Sequence, residues 1–232
     1  MKDPSSNHEI WGVIPAAGMS RRMGFPKQSA MIRGSTMAAT IAQNMLHAGV
    51  AGIVVVTRSN LLSALGLPRD KRIVPAINDD PDSEMMDSIV RGLSVLAGKR
   101  PPTRIDEEDV TIGSRVQSHI RQHTATPGFD RPASSADGIM VVPGDMPAIS
   151  LASYKACVAA YLSSPNRIVI ATCNGKPGHP IVFPFSMRAE LSGLAGGLRM
   201  LPESHPERVV LVETADPGAL QDVDTPDDLE IG

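Results

Sequence analysis

The amino-acid sequence predicts a doubly wound α/β fold, in which helices cover both faces of a mostly parallel sheet. Short, mostly apolar runs, such as 52–57 and 167–172, recur along the 232 residues and are typical of buried strands. Between them lie segments such as 36–48 and 83–97, whose apolar residues repeat at helical spacing. Buried strands that alternate with amphipathic helices are typical of a parallel sheet covered on both sides.

The elements follow from these two patterns in chain order. A first strand at 10–14 runs into a glycine-rich loop, and the spacing of Met37 and Ile41 predicts a helix at 36–48 that stops before Gly49. The later strands are predicted at 52–57, 72–76, 138–147 (with the loop that ends it), 167–172 and 208–214. The later helices are predicted at 61–65, 83–97, 150–162 and, in interrupted form, 185–201.

The composition predicts a single domain over residues 1–232. The formal net charge is −3, so the overall charge does not suggest nucleic acid or a membrane surface as a partner. The first ten residues lack the apolar run of a signal peptide, and no apolar run is long enough to cross a bilayer, so we expect a cytoplasmic protein. Cys157 and Cys173 are too few for a disulfide scaffold and lack metal-site spacing, which predicts ordinary buried thiols. We expect a monomer or a weak dimer.

One region does not follow the alternation. Residues 98–137 are mostly polar, contain the acidic run 106–109, and have a possible helix only at 110–120. They are predicted to be an insertion between a helix and the next strand. A surface excursion is the simplest interpretation, and a lid or an oligomer contact is the alternative.

The loop after the first strand, VIPAAGMSRRMGFPKQ at 13–28, combines small residues with cations. In open α/β sheets, ligands bind beyond the carboxyl ends of the strands, and phosphates often lie in the loop after the first one. Small residues let backbone amides approach an anion, and Arg22 and Lys27 can add charge-assisted contacts. The spacing is neither GxxxxGK[ST] nor GxGxxG, which excludes a Walker A loop and a dinucleotide fingerprint. The predicted polyphosphate-binding residues are Ala16, Ala17, Gly18, Met19, Ser20, Arg22 and Lys27.

Further segments carry a specific resemblance to one enzyme family. AAGMSRRMGFPK (16–27) resembles the family's LAAGxSxRMGxxK, and NDDPDSEMMDSIVRGL (78–93) resembles NPxxxxGMxxSLxxGL. VVPGDMPAIS (141–150) resembles LLGDxPLVS, while GKPGHPIVFP (175–184) and DPGALQDVDTPDDL (216–229) resemble GHPxLF and the late DIDTPEDL. The chain is thus similar to the molybdenum cofactor nucleotidyltransferases, the MobA-like NTP transferases, and most similar to their cytidylyltransferase branch.

The resemblance implies a Rossmann-like sandwich of the nucleotide-diphospho-sugar transferase type and a Mg²⁺-dependent nucleotidyltransferase. The implied substrates are a nucleoside triphosphate, CTP, and a phosphorylated pterin such as molybdopterin or another small acceptor. A molybdoenzyme or its chaperone is the implied protein partner. In such a reaction an acceptor oxygen attacks the α-phosphorus in line and pyrophosphate leaves, so catalysis consists of positioning and charge neutralisation. Arg22, Lys27 and Asp145 are the predicted catalytic residues.

Two aspartates are the predicted metal ligands. Asp145 follows the strand GIMVVPG (138–144), at the end of the sheet where the first loop opens, and a carboxylate there can hold Mg²⁺ against phosphates. Asp224 is the second candidate. Each has an alternative role, because Asp145 could be a turn residue and 225–228 has the pattern of an ordinary helix start.

Three residues complete the predicted site. Asn78 and Ser88, both in the second segment, are predicted to bind the nucleotide, with helix capping as the alternative role of Ser88. His179 is predicted in a loop on the acceptor side, and a structural role is equally consistent with its isolated position. It is not predicted to be a general base.

The sequence also departs from the family pattern. Pro15 stands at a leucine position, Glu84 at a glycine position, and 192–201 lacks the aspartate of a GDxGAR-like stretch. Two alternatives therefore stay open: a sugar-phosphate or methylerythritol-phosphate nucleotidyltransferase, and a catalytically degenerate nucleotide-binding regulator.

Overall fold

The structure, a computed structural model, describes residues 8–18, 27–32, 34–98, 129, 131–194, 196–225 and 228. Its strands are β1 (Ile10–Pro15), β2 (Met31–Ile32), β3 (Ser35–Thr36), β4 (Gly52–Thr57), β5 (Ile73–Ile77), β6 (Gly138–Val141), β7 (Ile168–Cys173), β8 (Lys176–Pro184) and β9 (Val209–Glu213). Within this part of the chain, seven of them form one sheet in the order β5-β4-β1-β6-β8-β7-β9, and β2 and β3 form a small antiparallel pair. The sheet is mostly parallel, which confirms the predicted α/β class.

The helices occur where apolar periodicity predicts them. They are α1 (Met37–His47), α2 (Met85–Leu96), α3 (Leu151–Ser163), α4 (Arg188–Leu191) and α5 (Met200–Ser204). Side chains cap two of them, because the hydroxyls of Thr36 and Ser150 accept hydrogen bonds from the first-turn N–H groups of α1 and α3. The helix predicted at 61–65 is a 3-10 helix (Ser59–Leu65), and the interrupted helix at 185–201 consists of a 3-10 turn (Phe185–Met187), α4 and the start of α5.

β8 is the strand of the seven-stranded sheet that the sequence interpretation did not predict, and the short pair β2 and β3 was not predicted either. β8 lies between β6 and β7 and is antiparallel to both. It contains prolines at 177, 180 and 184, which are uncommon inside a sheet because proline cannot donate to a sheet ladder. In the register of the sheet, Pro184 lies opposite Gly138 of β6 and Pro177 lies opposite Thr172 of β7.

The core has two halves, one on each face of the sheet. The cluster on one face joins the strands to α1 and α3 through residues such as Ile41, Met45 and Tyr154. The cluster on the other face joins them to α2 and α4 through residues such as Ile89 and Leu191. Each fully buried aliphatic side chain contributes about 1.5–3 kcal/mol, so these faces hold the sheet between its helices.

The end of the predicted insertion packs against the core. Phe129 makes an edge-to-face contact with Trp11 at a centroid distance of 5.0 Å, and the guanidinium of Arg131 lies over the same indole. Arg131 also pairs with the buried carboxylate of Asp137 at 2.6 Å. The end of the predicted insertion thus contacts the core through these side chains, while 132 and 134–136 are exposed, and 99–128 and 130 lie outside the described residues.

Cys157 and Cys173 are both buried free thiols, as predicted. None of the helices in the described ranges is long and apolar enough to span a membrane.

Candidate active site

The candidate site lies at the carboxyl ends of β1, β4 and β6. The chain leaving β1 stays tied to the sheet, because the N–H of Ala16 donates to the carbonyl of Val56 at 2.7 Å. The loop after β6 runs beside it, with the N–H of Gly144 donating to the carbonyl of Pro15 at 3.0 Å. Neighbouring parallel strands thus bring the first loop and the Asp145 loop together at one edge of the sheet.

Part of the first loop can be located. Ala16 and Ala17 are buried, and Gly18 is exposed at the mouth of the site. The predicted phosphate-binding residues Met19, Ser20 and Arg22 lie outside the described residues. The predictions for these three residues therefore stay predictions.

Lys27 connects the two predicted metal ligands. Its ammonium lies 2.6 Å from Asp145 Oδ2 and 2.7 Å from Asp224 Oδ1. The side chains of Lys27 and Asp145 are only 15% and 18% exposed, while that of Asp224 is 44% exposed. Residues 197 positions apart in the chain thus meet in one charged cluster at the cavity mouth.

The environment keeps Lys27 charged. Burial of the ammonium lowers its pKa, but the hydrogen bonds and charges of Asp145 and Asp224 outweigh burial, so the net pKa is raised above its ordinary value. A cation is therefore present at this point at any physiological pH.

A third carboxylate, Asp222, belongs to the same cluster. Carboxylate oxygens of Asp145, Asp222 and Asp224 all lie within 4.8 Å of one another. Such a set fits Mg²⁺ or Mn²⁺, since both prefer oxygen ligands. The sequence interpretation missed Asp222, although its place two residues before Asp224 in the DVDTP motif was an available signal.

The late aspartates are held by tight contacts of the segment 216–225 with the strands. The N–H of Val223 donates to the carbonyl of Asp145 at 2.9 Å, which places the two loops side by side. A Cβ atom at position 178 would lie 2.0 Å from the carbonyl oxygen of Ala219, so only glycine lets the segment pass this close to β8. Asp216 fixes the start of the segment by accepting hydrogen bonds from the N–H of Ser150 and the hydroxyl of Ser153.

Asn78 and Ser88 meet on the other side of the first loop. The amide of buried Asn78 donates to the hydroxyls of Ser83 and Ser88, both at 3.2 Å. Ser88 does not cap α2, because it lies in the first turn of that helix, which begins after Glu84. Its hydroxyl is instead part of a buried polar group with Asn78.

A small cavity of about 240 Å³ separates these groups. Ala17, Gly18 and Lys27 line one wall, and Ser83 and Ser88 line the other. Asp145, Pro143, Pro15, Glu84 and Met85 complete the lining. Of the predicted nucleotide-binding residues that the structure describes, four line this cavity: Ala17, Gly18, Lys27 and Ser88. Ala16 and Asn78 are not in its lining.

A larger cavity of about 800 Å³ adjoins it. Asp145, Pro143 and Met85 line both cavities, so the carboxylate cluster lies at their junction. The larger cavity is mostly apolar, with prolines and the exposed side chain of Leu211 in its walls. Arg199 and Glu203 supply charge away from the Asp145 loop.

His179 lines the larger cavity, but it lies in β8 and not in a loop as predicted. Its Nδ1 is 3.3 Å from the carbonyl oxygen of Val141 on the neighbouring strand. Burial lowers its pKa below the ordinary value, against the opposing effects of that hydrogen bond and of Asp145. His179 is therefore a neutral ring at neutral pH.

Arg58 is a second residue that the sequence interpretation missed. It follows β4 directly, and its guanidinium donates to the backbone carbonyl of Ala17 at 2.9 Å. It also donates to the carbonyls of Asp79 and Asp80 at 3.4 and 3.2 Å. A single arginine after a strand carries no signal in the sequence that distinguishes it from a solvated cation.

Comparisons with known proteins show the family to which the chain is related. The sequence matches the family described as "MobA-like NTP transferase domain" over residues 12–209. It is 27% identical over 222 residues to nicotine blue oxidoreductase of Paenarthrobacter nicotinovorans, covering 93% of this chain and 92% of that protein. It is 30% identical over 137 residues to 2-C-methyl-D-erythritol 4-phosphate cytidylyltransferase of Halorhodospira halophila, covering 56% and 55%. Among solved structures, Rv0371c of Mycobacterium tuberculosis in complex with manganese superposes with a TM-score of 0.59 at 19% identity, covering 96% of each chain.

Proposed function

Because the chain belongs to the family of MobA-like NTP transferase domains, which are nucleotidyltransferases, we propose that it transfers CMP from CTP to a phosphorylated acceptor and releases pyrophosphate. One observation carries the proposal. Lys27 and the three carboxylates of Asp145, Asp222 and Asp224 lie at the junction of a small cavity and a large one. A transfer reaction between two bound substrates needs its charged groups at the point where the substrates meet.

The carboxylate cluster is the proposed metal site. Asp145, Asp222 and Asp224 would hold a divalent cation, Mg²⁺ in our proposal, and the manganese complex of Rv0371c supports a metal in this fold. When bound, such an ion neutralises the charge on the phosphates of the nucleotide.

The remaining residues act by position and charge. The small cavity takes the nucleoside triphosphate, with its phosphates on the first loop beside Gly18 and Lys27. An acceptor oxygen attacks the α-phosphorus, the bond to the bridging oxygen of the β-phosphate breaks, and pyrophosphate leaves with the electron pair. Lys27, together with Arg22, offsets the negative charge that develops on these oxygens.

The large cavity is the proposed acceptor site. Its volume of about 800 Å³ and its mostly apolar walls favour a bulky, flat heterocycle over a small sugar phosphate. A pterin that carries a phosphate, such as molybdopterin, fits this description. Neutral His179 would contribute to the wall of the site and takes no proton in the reaction.

The methylerythritol-phosphate enzyme is the second candidate. It is favoured by the 30% identity to the cytidylyltransferase of Halorhodospira halophila, which covers 56% of this chain. Both candidates use CTP, so only the acceptor separates them.

A screen for pyrophosphate release tests the proposal. CTP, GTP, ATP and UTP are each combined with molybdopterin, its molybdenum form, methylerythritol phosphate and common sugar phosphates, in the presence of Mg²⁺. We expect release with CTP and a pterin acceptor, and none from Asp145→Asn. The matched control is Asp70→Asn, which removes one carboxylate from a surface loop outside the site. CTP binding without release for any pair would contradict the proposal and favour a nucleotide-binding regulator.

A further inference from the structure

Arg58 connects the two loops that form opposite walls of the small cavity. Its three hydrogen bonds go to backbone carbonyls: Ala17 in the first loop, and Asp79 and Asp80 in the loop after β5. Arginine suits this task because its planar guanidinium presents several donors in a fixed geometry, whereas lysine has a single nitrogen. The side chain is partly exposed and belongs to neither core cluster.

The contact with Ala17 orients a backbone donor. A trans peptide unit is planar, and its C=O and N–H point in opposite directions. When Arg58 holds the carbonyl of Ala17, the N–H of Gly18 in the same peptide unit is turned away from the guanidinium. Gly18 lines the small cavity, so the orientation of this peptide determines whether its N–H can face an anion there.

The contacts with Asp79 and Asp80 fix the facing wall. The carbonyl of Asp80 also accepts hydrogen bonds from the N–H and the hydroxyl of Ser83, at 3.3 and 2.9 Å. The carboxylate of Asp79 accepts a hydrogen bond from the N–H of Ser59, the residue after Arg58. Ser83 lines the small cavity, so Arg58 is connected to both walls through one or two hydrogen bonds.

We propose that Arg58 is a positioning residue for the nucleoside triphosphate, which sets the peptide orientation at Gly18 and the separation of the two cavity walls. The proposal rests on the proposed function, because it assumes that the small cavity binds the nucleotide. Arg58 itself makes no contact with the reacting atoms. Arg58 should therefore contribute equally to the binding of the ground state and of the transition state. Its replacement should raise KM and leave kcat nearly constant.

The test compares Arg58→Ala, Arg58→Lys and the control Arg72→Ala. Among the residues that the structure describes, the Arg72 side chain pairs with Asp70 on the surface, so its loss removes the same charge without touching the cavity. The dissociation constant of each of the four common nucleoside triphosphates with Mg²⁺ is measured by calorimetry, and pyrophosphate release gives KM and kcat. For Arg58→Ala we expect the dissociation constant and KM of the bound nucleotide to rise about tenfold, with kcat within about twofold. Arg58→Lys should recover part of the loss, because it can make one of the three contacts.

A second measurement does not need a ligand. Hydrogen exchange of the backbone amides, followed by mass spectrometry, should become faster in both 13–18 and 78–84 in Arg58→Ala, and in neither segment in Arg72→Ala. Unchanged nucleotide affinity, or faster exchange spread over the whole chain, would overturn the inference while leaving the proposed function intact. A wild-type protein that binds none of the four triphosphates would overturn both.

Discussion

Replacement of Lys27 by methionine should make the stability of the protein depend strongly on divalent metal ions. In the wild type, the Lys27 ammonium lies between Asp145 and Asp224 at 2.6 and 2.7 Å. Methionine keeps an unbranched side chain, one atom shorter than that of lysine, but removes its charge. Three carboxylates with oxygens within 4.8 Å of one another would then face each other without this cation.

The expected magnitude follows from the exposure of the partners. A hydrogen bond to a charged group contributes about 1.5–3 kcal/mol, but the partial exposure of Asp145 and Asp224 screens both contacts, so the total loss is about 2 kcal/mol. For a domain of this size, 1 kcal/mol corresponds to a Tm change of about 2–4 °C. Lys27→Met should therefore lower Tm by about 4–8 °C in the presence of a chelator.

Metal should reverse this loss. An ion present at about a hundred times its dissociation constant stabilises the folded state by about 2.7 kcal/mol. In the wild type the ion competes with Lys27 for the same carboxylates, so the gain in Tm should be smaller than in the variant.

The assay is thermal unfolding, followed by circular dichroism, with a chelator and with saturating MgCl₂ or MnCl₂. Lys155→Met is the control, because Lys155 is exposed on α3 and its loss changes the net charge equally. If metal raises the Tm of Lys27→Met no more than that of the wild type, the metal does not compete with Lys27 for these carboxylates and the prediction is wrong.

Three further predictions concern single side chains. Asp145→Asn should keep the fold, since Asp145 lies at a cavity mouth, and should reduce pyrophosphate release by at least about a hundredfold; turnover at the wild-type level with the same Mg²⁺ dependence would contradict this. Burial raises the pKa of Asp137, but the hydrogen bond from Arg131 and those from backbone N–H groups outweigh it and lower the pKa from 3.8 to about 2. The stability that this shift provides, about 2 kcal/mol, is present above about pH 4 and lost as the pH falls toward 2, so Asp137→Asn should destabilise the protein near neutral pH and flatten the acid dependence of the unfolding free energy measured in urea. Phe129→Ala should cost about 2 kcal/mol in the same urea experiment, because Trp11 loses its ring partner; an unchanged midpoint would show that the contact is energetically neutral.

Much of the fold could be predicted because one physical rule governs most of it. A strand buried on both faces must be apolar throughout, and a helix on a sheet must be apolar on one side. These rules locate β1, β4 and β6. They do not locate β8, because its three prolines are atypical of a strand that lies between two others.

The site could be predicted only in part. Lys27, Asp145 and Asp224 stand in recognisable motifs, but the ion pairs between them result from the tertiary fold, which brings distant segments together. Arg58 was missed because its function lies in contacts with backbone carbonyls, which any sequence offers. Asp222 was missed because the interpretation assigned one metal ligand to the DVDTP motif, where the structure brings two into the cluster.

The docking of the segment 216–225 onto β8 and the Asp145 loop also determines when the three-carboxylate cluster can form. A growing chain that has reached β6 already contains the first loop, α1 and α2, and their contacts are between neighbouring elements. Asp222 and Asp224 are synthesised far later, and contacts between such distant segments form slowly, because a long loop must close first. A chain that stops before residue 216 therefore lacks two of the three carboxylates of the cluster. The cluster is complete only when the segment 216–225 has docked beside the Asp145 loop.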